Sequence, residues 1–147
     1  MYKRTRRTHK QDLSAEDAAH EIYAVLLQGQ KASRALPKDF LRECLKSEDV
    51  YVFFLKLCME YDFSGDLSAL RKGLLLVVKT LGAAKIAKAA KLNRVTLYRM
   101  LGRGGNPGIK NLMSLLKVLG VCFWIVDKEF YDHREQARRR GLHRSGT

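Results

Sequence analysis

Apolar residues recur along the first half of the chain at helical spacing, and the polar residues between them indicate where each helix begins and ends. Ser14 and Asp17 have the spacing of a capping box, which predicts a first helix that ends at Gly29. A second helix is expected to begin near Pro37, and Ser47 is the expected N-cap of a third. We expect the third helix to bury one face, made of Val50, Phe53, Phe54, Leu57 and Tyr61.

The second half of the chain shows the same period in shorter segments. An apolar stripe predicts a helix that Gly82 closes, with an inner face made of Leu70, Leu74, Val77 and Leu81. A short helix around Ile86 follows, and after a brief break Asn93 can cap a helix that runs to Leu101. These two short helices predict a helix-turn-helix over residues 83–102.

A glycine-rich loop follows this motif and leads to the last apolar segments. Asn106 as N-cap and Pro107 at the first helical position predict a further helix, which Gly120 ends. Residues 121–126, VCFWIV, are β-branched and aromatic, so they are the one candidate strand. Two fates are open for this segment: it pairs with its mate in a second chain, or it packs on its own bundle. Trp124 would be buried in either case.

The predicted fold class is therefore all-α: a helix-turn-helix bundle with an N-terminal helical extension and one short C-terminal strand. Residues 1–46 are expected to form a basic arm and the helical extension, residues 47–126 the helix-turn-helix domain, and residues 127–147 a basic tail. Within these regions, residues 1–10 and 134–147 are expected to be disordered, and either solubility or phosphate contact would explain their charge.

Length and composition are those of a soluble protein with one core. The chain has 147 residues, of which 46% are hydrophobic, and no apolar run approaches the length of a membrane span. The first ten residues do not lead into the apolar core of a secretory signal. Three widely spaced cysteines among apolar neighbours, Cys44, Cys58 and Cys122, predict buried free thiols in a reducing compartment. We expect a cytoplasmic location.

The net charge of the chain restricts the class of binding partner more than it restricts the class of fold. The net charge is +13, and residues 67–126 contain eleven Lys or Arg and no Asp or Glu. Residues 11–66 contain eleven acids against six bases, so the two parts of the chain differ in sign. A positive surface attracts polyanions, which favours nucleic acid first and an anionic membrane surface second.

One side of the helix after Asn93 has the residue types of a DNA-reading surface. With Leu97 pointing inward, a helical wheel places Arg99 almost opposite it, where a bidentate pair with guanine is worth about 1 to 3 kcal/mol of discrimination. Asn93 is open to two roles, as a cap and as a base contact. We expect the DNA-reading residues to be Asn93, Arg94, Val95, Thr96, Tyr98 and Arg99.

Three further basic residues of the motif, Lys85, Lys88 and Lys91, are better placed for backbone phosphates, where they set affinity and salt dependence rather than sequence preference. Arg103 is also an expected DNA-binding residue. The alternative is a solvated basic face on an ordinary helical bundle. The absence of acids over sixty residues argues against it, since a solvated face usually mixes both signs.

The motif sequences also carry a family resemblance. Ala-Lys-Ile-Ala, Leu-Asn-Arg, Leu-Tyr-Arg, Gly-Asn-Pro and Leu-Leu-Lys-Val-Leu-Gly follow one another between residues 84 and 120. Together with the preceding helices, residues 47 to about 126 resemble the antitoxin, or antidote, proteins of bacterial addiction modules, a branch of the phage-repressor-like helix-turn-helix regulators. Residues 1–46 and the tail have no counterpart in this resemblance.

The resemblance implies an operator-binding homodimer that represses its own operon and neutralises a cognate toxin. It assigns DNA recognition to Arg94, Val95, Thr96, Tyr98 and Arg99, and a supporting role to Ala87, Leu92 and Leu97. One position departs from the family pattern. Such motifs commonly have Gly in the turn where Lys91 stands, and a positive φ at a lysine costs on the order of 1 kcal/mol.

Other chemistry receives little support. The four histidines have no metal-ligand spacing, and Asp127, Glu129, Asp132 and His133 are more typical of a solvated turn than of a metal site. We expect no catalytic residue, metal or cofactor. Three function classes remain: a DNA-binding repressor or antitoxin for an operator with an inverted repeat, a module whose acidic half binds a basic protein such as a toxin, and an enzyme. RNA binding is a weaker variant of the first.

Overall fold

The computed structural model describes residues 13–30, 36–62 and 65–144, so the basic arm at 1–10 lies outside the described residues. The described residues form α-helices joined by short turns, and none of them lies in a strand, which confirms the all-α class. The helices are α1 (Ala15–Ile22), α2 (Lys38–Cys44), α3 (Glu48–Glu60), α4 (Ser68–Leu81), α5 (Ala83–Ala89), α6 (Arg94–Leu101), α7 (Ile109–Val118) and α8 (Lys128–Arg144).

The capping signal at the start of α1 is confirmed. The Ser14 hydroxyl oxygen accepts a hydrogen bond from the backbone N–H of Asp17 at 3.1 Å and donates to its carboxylate at 2.8 Å. A π-helical turn, Tyr23–Leu27, continues the helix, and Gly29 follows with a φ of 67°. The α1 segment therefore begins and ends where the sequence predicts, and it packs against α3.

The buried face of α3 differs from the expected one. Phe53 and Tyr61 are exposed, while Tyr51 and Leu55 are buried together with Val50, Phe54 and Leu57. The reason is that α3 lies between α1 and α4 and packs against both, so its buried surface extends around two sides. A single apolar stripe at helical spacing is expected only for a helix that packs against one neighbour.

The helix α7 begins two residues later than Asn106 and Pro107 predict. Gly108 is the N-cap, and its ψ of 147° keeps the chain extended up to Ile109. The end of α7 matches the prediction, since Gly120 follows with a φ of 71°. The Tyr51 hydroxyl donates a buried hydrogen bond to the Leu119 carbonyl oxygen at 2.7 Å, which joins this end to α3, and burial raises the pKa of Tyr51.

The expected strand at residues 121–126 is not present, because no other described residue offers a strand with which it could pair. Trp124 is 87% exposed and Ile125 is 94% exposed. Packing of this segment on its own bundle, one of the two fates considered, is therefore wrong for the single chain.

The tail expected to be disordered is instead the seventeen-residue helix α8 up to Arg144. Asp127 caps it by accepting a hydrogen bond from the Phe130 N–H at 2.8 Å. An ion pair between Lys128 and Asp132 at 2.9 Å has the i, i+4 spacing that supports an isolated helix. High charge alone indicated disorder, whereas these local pairs and the helix-favouring Glu, Gln, Ala and Arg residues stabilise a helix.

The expectation of three buried thiols is correct only for Cys58. Cys44 is half-buried, and Cys122 is exposed because the segment that carries it does not pack on the bundle. Desolvation raises the pKa of Cys58 to about 12. Across the described residues, no helix combines the length and apolarity needed to cross a bilayer.

Candidate nucleic-acid interface

The helices α5 and α6 form the helix-turn-helix that the sequence predicts. Ile86 and Ala87 of α5 are buried, as are Leu97, Met100 and Leu101 of α6. Helix α6 packs against both α4 and α5, so one of its sides faces the core and the opposite side is open. This is the arrangement that a DNA-reading helix requires.

The turn between the two helices contains a strained lysine. Lys91 has a φ of 55°, in the left-handed region that favours glycine, as the comparison with the family pattern anticipates. The next residue closes the turn, since the Leu92 N–H donates to the Ala87 carbonyl oxygen at 2.9 Å. The Lys91 side chain is exposed. The strain costs on the order of 1 kcal/mol and places a cation at the corner of the motif.

Asn93 performs the first of the two roles considered for it. Its side-chain oxygen accepts a hydrogen bond from the Val95 N–H at 2.8 Å, so it caps α6. The oxygen is committed to the helix, and a base contact would have to use the amide nitrogen.

The five other expected DNA-reading residues divide into two groups. Arg94, Val95 and Arg99 are exposed, whereas Thr96 and Tyr98 are half-buried. The Tyr98 ring lies near two cations, the Arg94 guanidinium at 5.7 Å and the Lys79 ammonium at 5.9 Å. Cation–π contacts of this kind hold Arg94 and Lys79 close to the open side of α6.

The four other basic residues expected to bind DNA are all exposed. Lys85 and Lys88 are exposed on α5, Lys91 is exposed in the turn, and Arg103 is exposed after α6. A duplex lying along α6 would meet cations at both ends of the motif.

Sequence reasoning counted Arg71 and Lys79 only as charge, and the structure gives both a local role. Arg71 lies on α4, and its guanidinium Nη1 donates to the Gly102 carbonyl oxygen at 2.6 Å, at the end of α6. One signal was present in the sequence. Arg71 lies seven residues before Val78, in a helical row that points to the core, and Val78 is fully buried.

Two positions of the loop after α6 require glycine because a neighbouring backbone carbonyl oxygen leaves no room for a Cβ atom. A Cβ atom at Gly102 would lie 2.8 Å from the Tyr98 carbonyl oxygen, and one at Gly105 would lie 2.5 Å from the Met100 carbonyl oxygen. The Gly105 N–H donates to the Gly102 oxygen at 2.9 Å, so this carbonyl accepts from both the loop and Arg71. The loop therefore has a structural reason for its glycines.

The described residues contain no group of three His, Cys, Asp or Glu side chains placed to hold a metal ion. The four residues considered for such a site lie at the start of α8. Asp127 is its cap, and the pairs Lys128–Asp132 and Glu129–His133 run along the helix.

Comparison with known proteins identifies the family. A family model described as a probable addiction module antidote protein matches residues 38–127, which include α2 to α7 and end just before α8. No curated protein and no solved structure matches the chain. The match covers more than half of the 147 residues and begins nine residues before the region of resemblance in the sequence. The chain belongs to the antidote proteins of addiction modules, whose partner is a cognate toxin.

Proposed function

We propose that this antidote is also a sequence-specific DNA-binding protein that represses its own operon as a homodimer. One observation carries the proposal: α6 buries Leu97 and Met100 on one side and exposes Arg94, Val95 and Arg99 on the other. An exposed side with two arginines and a valine has the chemistry of direct readout in a major groove.

Each exposed side chain of α6 has a separate role in this proposal. Arg99 reads a guanine through a bidentate pair, and Val95 lies against a thymine methyl group. Arg94 is in the first helical turn, where its contact with the Tyr98 ring directs it to a base edge or a phosphate.

The cations around the motif supply affinity that does not depend on sequence. Lys85, Lys88, Lys91 and Arg103 neutralise phosphates, and the release of counterions makes the binding weaken as salt rises. In this proposal, the phosphate contact of Lys91 offsets the strain of its backbone.

We propose a homodimer because one helix-turn-helix alone provides little sequence specificity. A single short helix contacts few base pairs, and two copies related by a two-fold axis double the contacts and match an inverted repeat. Autorepression would then link the amount of antidote to transcription of its operon.

The second candidate is a toxin-binding protein whose DNA affinity is only nonspecific. It draws support from the N-terminal helices, where Glu16, Asp17 and Asp49 are exposed on a surface that would attract a basic protein. Neutralisation proceeds by binding in both candidates, with no catalytic step.

Binding of the purified protein to its own promoter fragment and to a scrambled duplex of equal length, each across a salt series, tests the proposal. We expect a preference for the promoter that persists at physiological salt. Equal affinity for both duplexes, lost together as salt rises, would overturn specific binding and support the second candidate.

A further inference from the structure

Six large apolar side chains between residues 121 and 131 are exposed. Trp124 and Ile125 are almost fully exposed, at 87% and 94%. The other four are Phe123, Val126, Phe130 and Tyr131. A single exposed apolar side chain is ordinary on a soluble protein, but a continuous run of this kind marks an interaction surface.

The backbone of the same run also lacks partners among the described residues. The Val121 N–H donates to the Leu116 carbonyl oxygen at 2.9 Å, and the next backbone bond outside a helix joins Tyr131 to Asp127 at 3.2 Å. Between them lies a segment outside any helix, made mostly of β-branched and aromatic residues, whose N–H and C=O groups make no backbone bond to a described residue; open backbone of this composition is typical of an edge strand. No described residue of the same chain offers a strand to pair with it.

We infer that this strand belongs to a second copy of the same chain: residues 121–126 of two copies pair antiparallel, and the two α8 helices pack beside them. We call residues 121–144 the C-terminal arm. The inference rests on the proposed homodimer for its biological purpose and names the surface that forms it.

Charge favours a second copy as the occupant. Residues 121–126 contain no charged side chain, so pairing the strand with itself brings no like charges together. In α8 the first half contains three acids, Glu129, Asp132 and Glu135, against two bases, Lys128 and Arg134, whereas the second half contains arginines at 138, 139, 140 and 144 and no acid. Antiparallel copies place the half with more acids than bases against the strongly basic half of its mate, which is a self-complementary arrangement about a two-fold axis.

The exposed area is also of the right size. The six side chains expose roughly 700 Å² of mostly apolar surface per chain, close to the ~800 Å² that each partner contributes to a standard stable interface. A DNA phosphate backbone would leave this surface exposed. A basic toxin would match the acids of α8 but would be repelled by its arginines.

Trp124 is the only tryptophan of the chain, so its fluorescence reports directly on the C-terminal arm. The experiment measures sedimentation and tryptophan emission of the full-length protein over a range of concentrations, under reducing conditions that prevent a disulfide through Cys122. Ile125→Lys places a charge in the proposed strand at a position that touches little else in the single chain. Ile109→Lys is the matched control, since Ile109 is 82% exposed and lies on α7.

We expect the natural chain and Ile109→Lys to sediment as dimers, with emission that shifts to shorter wavelength as the concentration rises. Ile125→Lys should remain a monomer with the emission of a solvated tryptophan over the same range, while its helical circular dichroism is unchanged. An Ile125→Lys variant that still dimerises would place the interface elsewhere and overturn the inference. So would a natural chain that stays monomeric, including one whose emission shifts only after toxin is added.

The dimerisation experiment and the DNA-binding experiment can fail independently of each other. A natural chain that dimerises through the C-terminal arm but does not prefer its promoter would leave the inference standing and contradict the proposed regulator. A natural chain that prefers its promoter while Ile125→Lys remains dimeric would do the reverse.

Discussion

Lys91 is the residue at which stability and the proposed function oppose each other. Its φ of 55° is a conformation that glycine adopts without strain, yet the position carries an exposed cation between the two helices of the motif. A residue that served only the fold would be expected to be glycine. Under the proposed function, the lysine at this position supplies a contact with DNA phosphate.

Lys91→Gly is expected to strengthen the fold and weaken DNA binding at the same time. The free energy of unfolding should rise by up to about 1 kcal/mol, because the strain disappears. Affinity for any duplex should fall, with a decrease of about one in the slope of log K against log salt, because one phosphate contact is lost. Chemical denaturation and a salt titration measure the two effects. Lys91→Asn, which tolerates the same backbone, is the control, and unchanged DNA affinity in both variants would refute the phosphate contact.

Cys58 gives a pH dependence whose sign follows from its burial. Desolvation raises the pKa of this thiol from 9.0 to about 12 in the folded protein. Between these values the unfolded chain loses the proton and the folded chain keeps it, so stability falls as pH rises, by at most about 1.4 kcal/mol per unit. Denaturation of the natural chain and of Cys58→Ala at pH 8, 9.5 and 11 measures the difference. An identical decline in both proteins would show that the thiol ionises freely.

At the scale of elements, the position of α6 depends on α4. Arg71 donates a hydrogen bond to the Gly102 carbonyl oxygen at the end of α6. Lys79 lies over the ring of Tyr98, which is near the middle of α6. We therefore treat Arg71 as a positioning residue that acts through the helix rather than on DNA.

Arg71→Met is expected to reduce discrimination between promoter and scrambled DNA by about tenfold, the equivalent of about 1.4 kcal/mol. Amide hydrogen exchange at Gly102 and Gly105 should accelerate in the free protein, because the loop loses its anchor. Lys72→Met is the matched control, since it removes the same charge from an exposed neighbour on α4. If both variants weaken promoter and scrambled DNA alike and leave exchange unchanged, Arg71 contributes only charge.

Elements whose ends depend on nearby residues were predictable from the sequence. The caps at Ser14 and Asn93 and the stops at Gly82 and Gly120 lie within a few residues of the bonds they make. The Arg71 contact spans 31 positions, and the buried face of α3 depends on two neighbouring helices. Periodicity places Arg71 in a row that points to the core, but it does not identify the distant carbonyl oxygen that accepts its hydrogen bond.

Over the whole molecule, the exposed side of α6 and the C-terminal arm differ in chemistry. The first is cationic around α5 and α6, and the second is apolar around Trp124. The strand expected at residues 121–126 does not form, and no described residue lies in a strand that could pair with it. Local β propensity identified the segment, but a strand also needs a partner, which local sequence does not specify.

In the proposed function, the open side of α6 reads DNA sequence while the lysines of α5 bind phosphate. The affinities of Arg99→Ala and Lys88→Ala for the promoter fragment and for scrambled DNA distinguish these two roles. We predict that Arg99→Ala weakens promoter binding by about 1 to 3 kcal/mol and relaxes preference at one base pair. Lys88→Ala should weaken both duplexes alike. If both substitutions lower promoter and scrambled binding equally, α6 does not read sequence and the account is wrong.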